Sequence, residues 1–116
     1  MTDTQESLRA TARNLPACQH RDAIVDAVRN HQVVVIEGPT GSGKTTQVPQ
    51  MLLEANLGQG AIALTQPRRI AAVSIAWRVA AELGVAVGGD VGYAIRFDDC
   101  SSDATRLRVM TDGILL

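Results

Sequence analysis

The chain has 116 residues, 46% of them hydrophobic and only 3% aromatic, with a formal net charge of −1. That length suits one small domain with a single core, which Ala, Val, Ile and Leu must build. The near-neutral charge speaks against a dedicated basic nucleic-acid module, and the scarcity of rings against a single-strand binder that stacks bases on an aromatic platform.

In chain order, residues 1–14 are polar and read as an N-terminal extension, unlike a signal peptide. Leu15, Ile24, Val25 and Val28 then recur at helical spacing, which predicts a helix from about Arg21 to Asn30. The β-branched run "QVVVI" predicts a buried strand ending at Gly38. "KTTQVPQMLLEA" predicts a helix from Gly43 to about Glu54, with Pro49 removing one backbone donor. "GAIALT" reads as a second strand. The alanine-rich stretch after it reads as a helix that stops at Gly84, a residue suited to a left-handed cap. "VGYAIRF" and "RLRVM" read as strands joined by a polar loop, "DDCSSDAT". Thr111 and Asp112 then open a helical turn. Strands alternating with helices predict an α/β fold, a parallel sheet with crossover helices. The small sheet and abrupt end predict an incomplete domain.

Cys18 and Cys100 lie far apart, with no CxxC spacing or His partner, which favours a reduced, cytoplasmic setting over a metal site. No apolar run approaches a membrane span, so no membrane partner is expected.

The most informative stretch is "GPTGSGKT", Gly38 to Thr45, which fits GxxxxGK[ST] without a gap. Glycines let the backbone turn back and aim successive N–H groups at phosphates. The helix that opens at Gly43 adds its positive end. In such a loop Lys44 reaches the β- and γ-phosphates and the Thr45 hydroxyl binds Mg²⁺, which makes ATP, or another nucleoside triphosphate, with Mg²⁺ the expected ligand. Lys44 and Thr45 are the candidate catalytic residues, and Gly38, Thr40, Gly41, Ser42, Gly43 and Thr46 complete the candidate phosphate cradle. Such sites also need an acid at the end of a neighbouring strand. Asp98 and Asp99 follow an apolar run, but Arg96 interrupts it, and a solvated loop is the better reading for both.

The succession "GPTGSGKTTQVPQ", "TQPRRIAAVSIAWRVAAELG", "VGYAIRFDD" and "TRLRVMTDGILL" resembles, in order and spacing, the early motifs of DEAH-box (DEAH/RHA) RNA helicases across residues 15–116. The resemblance implies two RecA-like domains in tandem, RNA lying across both and ATP between them, with this chain forming the N-terminal portion of the first. It implies that Arg78 packs on the nucleotide base. It also implies that Arg68 and Arg69, with Thr111, Asp112 and Gly113, lie against a single-stranded RNA backbone without reading its sequence. The chain departs from the family pattern at Pro39, where many members carry Glu. The DEAH sequence and the second domain with its arginine fingers are expected to belong to a missing C-terminal remainder, so this chain alone is expected to bind ATP without turning it over. Two other readings stand beside it. One is a small P-loop kinase or transferase with Asp98 as the Mg²⁺ acid. The other is a non-catalytic nucleotide-binding module.

Overall fold

The computed structural model describes residues 15–39, 41, 43–57 and 60–115. Two helices open this part of the chain, α1 (Pro16–Gln19) and α2 (Arg21–Asn30). Pro16 sits in the first turn of α1, where its missing N–H costs nothing. α3 (Lys44–Glu54) follows the glycine-rich loop, and β1 (Ile62–Gln66) follows α3. α4 (Arg69–Leu83) ends where Gly84 turns left-handed at φ 73°. There the Val85 N–H reaches back to the Ala80 carbonyl at 3.0 Å and closes the helix end. Then come β2 (Val91–Ile95), β3 (Asp98–Cys100), β4 (Leu107–Thr111) and the short α5 (Asp112–Leu115).

The four strands form one sheet in the order β1-β4-β2-β3. β4 lies parallel to both β1 and β2, and β3 runs antiparallel on the outer side of β2. This is the mixed α/β, mostly parallel arrangement expected of part of a RecA-like fold. The sheet is open at β1, which pairs only with β4 among the described residues.

α4 supplies the main core. Its buried face is Ala72, Ala76, Val79 and Ala80, packed on Val91, Leu107 and Val109. The small alanines let the helix lie close to the branched side chains of the sheet. A second cluster joins Ala17, Ile24 and Val25 of the opening helices to Met51 of α3.

The structure departs from the sequence expectation in two places. "QVVVI" is no strand: residues 32–36 belong to no ladder, and Val33 and Val35 are 79% and 80% exposed. β-Branched residues favour extended backbone, but a strand also needs a neighbour to take its N–H and C=O groups. Residues 32–36 join no such neighbour; Ile36 instead lines a largely apolar groove with Val48, Pro49, Leu52, Ile62 and Leu64. The polar loop, in turn, begins with a short strand. Arg96 and Phe97 form a two-residue turn, with Phe97 at φ 68°, that folds β3 back onto β2. β2 therefore stops at Ile95. Gly92 makes the pairing possible, since a Cβ there would lie 2.5 Å from the Cys100 carbonyl oxygen. Residues 1–14 lie outside the described residues.

Candidate nucleotide site

The chain reaches the site through Gly38 and Pro39. Gly41 and Gly43 both adopt left-handed backbone, at φ 86° and 90°. Gly43 is constrained twice, because a Cβ there would meet Leu15 Cδ1 at 2.8 Å and Gln47 Cγ at 3.2 Å. Gly41 has open space around it, so only its conformation calls for glycine. α3 opens at Lys44 without a side-chain cap, and its first turn leaves backbone donors for an anion. The Gln47 N–H donates to the Gly43 carbonyl at 2.8 Å and starts the helical ladder.

Lys44 Nζ donates to the Gly38 carbonyl at 2.5 Å, tying the two ends of the loop together. A cleft of about 560 Å³ lies in front of the loop, lined by Gly41, Gly43, Lys44, Thr45, Thr46 and Arg78, with Leu15 and Pro39 as its apolar wall. The candidate phosphate residues and Arg78, 32 or more positions later in the chain, thus meet at one cleft. Gly38 is not among the lining residues and takes part as the partner of Lys44. Thr40 and Ser42 lie outside the described residues.

Thr45, exposed in the first turn of α3, is one of the residues that line the cleft. Among the described residues no group of three or more His, Cys, Asp or Glu could hold a metal by themselves. A Mg²⁺ here would draw its other ligands from the nucleotide phosphates and water, a donor set that suits this ion.

Sequence reasoning missed the polar core behind the cleft. Glu82 is 1% exposed. Its Oε2 accepts from Arg78 Nε at 3.0 Å, and its Oε1 accepts from Gln47 Nε2 at 2.9 Å and Gln50 Nε2 at 3.3 Å. Gln47 also donates to Thr46 Oγ1 at 3.0 Å and accepts from Cys18 Sγ at 3.4 Å. Burial pushes the Cys18 thiol up, and the charges of Glu82 and Glu54 push it further against the opposing pull of Arg21. The Arg78–Glu82 spacing of four was the one sequence signal available, an i,i+4 helix pair.

The parallel strands bring the candidate RNA residues to one end of the sheet. Gln66 at the end of β1 is in register with Thr111 at the end of β4. Arg68 and Arg69 follow the first strand, and Asp112 and Gly113 follow the second; all four are exposed. Asp98 and Asp99 lie on β3, the strand at the opposite edge of the sheet from β1, and not in a loop. Asp98 there accepts a hydrogen bond from the Tyr93 hydroxyl at 3.0 Å, which holds that phenol above its ordinary pKa. Neither acid lines the cleft, which leaves the kinase-type use of Asp98 without support.

No family model matches the chain. It is 50% identical over 103 residues, 88% of its length, to the ATP-dependent RNA helicase HrpA of Borreliella burgdorferi. The chain spans only 12% of that relative's length.

Proposed function

The chain belongs to the DEAH-box RNA helicase family, and from that premise we propose that it supplies the nucleotide cradle and part of the RNA-binding face of an ATP-driven RNA motor. The observation that carries this reading is the meeting of the glycine-rich loop, the first turn of α3 and Arg78 at one cleft. The loop amides and the positive end of α3 hold the β- and γ-phosphates. Lys44 exchanges the Gly38 carbonyl for phosphate oxygen, a stronger charge-assisted bond. Mg²⁺, bound through the phosphates and Thr45, neutralises charge on them. Arg78 lies flat on the base, and a planar guanidinium stacks on any base, which allows loose nucleotide preference. Arg68 and Arg69 meet RNA phosphates together with the backbone at Thr111, Asp112 and Gly113, without reading sequence.

In a polypeptide of the relative's length, nucleotide binding and release would open and close this face against further domains in the cytoplasm. The chain alone is proposed to bind ATP with little turnover, since Asp98 and Asp99 stand on the strand at the far edge of the sheet. Calorimetric titration of the chain with Mg·ATP tests the cradle. Saturable binding is expected, weakened by at least about tenfold in Lys44→Ala through the lost charge-assisted contact. Absence of saturable binding would overturn the cradle. Failure of single-stranded RNA to stimulate ATP hydrolysis by the longer polypeptide would overturn the motor.

A further inference from the structure

Glu82 is a charged group in a place where charge is expensive. It is 1% exposed on α4, beside Val79 and Ala80 of the main core. A well-packed apolar side chain is often at least as stabilising as a buried ion pair, so the carboxylate needs a reason beyond stability. Its two oxygens are divided between two elements. Oε1 is gripped by the amides of Gln47 and Gln50, both on the helix that springs from the phosphate loop. Oε2 takes the Nε–H of Arg78, whose side chain is 47% exposed where it lines the nucleotide cleft. Arginine has many rotamers in water. Fixing Nε halts the swing of the side chain while its two Nη groups take no partner among the described residues.

We propose that Glu82 is a positioning residue for nucleotide binding: anchored to α3 by Gln47 and Gln50, it holds the Arg78 guanidinium against the cleft in register with the phosphate loop. The base-side contact is thereby preformed, and binding does not bear the entropy of ordering a long side chain. This rests on the nucleotide reading above, and the test separates the two.

ATP and inorganic tripolyphosphate are each titrated into the wild-type chain, Glu82→Gln, Arg78→Ala and the double variant. Glu82→Gln keeps the size but removes the charge and replaces one accepting oxygen by an amide donor, which must face either Arg78 Nε or the Gln47 and Gln50 amides. The expected result is a loss of about tenfold in ATP affinity in Glu82→Gln, with tripolyphosphate affinity changed no more than about twofold. The double variant should bind ATP no worse than Arg78→Ala, because the two residues act as one unit. Glu82→Asp keeps the charge but withdraws it by one methylene, and it should give the same selective loss should Glu82→Gln prove too unstable to titrate. Equal loss of ATP and tripolyphosphate binding would make Glu82 a helix tie only and overturn the inference, as would unchanged ATP affinity or additive effects in the double variant. A wild-type chain that binds neither ligand overturns the nucleotide reading, and the inference with it.

Discussion

Gly43 carries two constraints that no other residue type meets together. Its backbone is left-handed at φ 90°, and the space beside it is filled by Leu15. Gly43→Ala is expected to destabilise the chain by about 1–3 kcal/mol from left-handed strain and overpacking, and to weaken ATP binding by displacing the first turn of α3. Urea unfolding and ATP titration check both effects, and a fully stable, fully binding variant would sink the account. Cys18 makes a second prediction at this scale. Its thiol is raised by burial first and by Glu82 and Glu54 second. A group raised on folding contributes stability that is present below its unfolded pKa and lost as pH rises through the folded one. Stability should therefore fall as the pH passes about 9 and above, and Cys18→Ser should flatten that fall in unfolding curves measured across the range. The loop was legible because Gly, Lys and Thr at fixed spacing leave a direct trace in sequence. Glu82 was not, because an acid four residues after an arginine looks the same whether solvent or another helix covers it. Its burial depends on α3 passing over α4, which only the fold reveals.

At the scale of elements, the helices were the easiest to read. α2 spans Arg21–Asn30 as its apolar spacing predicts, and α4 ends at Gly84 because the left-handed turn there suits glycine. Strands were read well only where they had partners. "RLRVM" became a central strand between β1 and β2, whereas "QVVVI", richer in β-branched residues, joined no ladder. Local preference sets a backbone direction, and pairing decides whether a strand exists. β3 was missed for the converse reason. "DDC" has almost no strand preference, and it pairs because the Arg96-Phe97 turn returns it along β2. That hairpin depends on Gly92, whose neighbour across the ladder comes within 2.5 Å of where a Cβ would stand. Gly92→Ala should cost about 1–3 kcal/mol through this overpacking and loosen β3 selectively. Amide exchange is the measurement, with faster exchange at residues 98–100 than at 107–111 as the expected pattern.

For the whole molecule, the open side of the sheet governs behaviour in solution. β1 presents an unpaired edge among the described residues, the groove between it and α3 is largely apolar and is lined in part by Ile36, and Val33 and Val35, just before Ile36 in the chain, are largely exposed. An uncovered edge next to apolar surface invites pairing with another chain. A net charge of −1 gives little repulsion to oppose it. The chain should therefore self-associate as its concentration rises, with the edge as the contact. Replacing Val33 and Val35 by Lys puts two charges on the segment that leads into that groove at Ile36 without removing any core residue, since both residues are about four-fifths exposed. The double variant should stay monomeric to a concentration about tenfold higher in sedimentation or light scattering, a gain that charged residues at an edge can supply. Its unfolding free energy should remain within about 0.5 kcal/mol of the original, as is usual for surface positions. Association that persists unchanged in the variant would move the sticky surface elsewhere, to the exposed Ile70 and Trp77 on the outer face of α4. A large loss of stability would mean that residues 32–36 pack more tightly in solution than their exposure indicates.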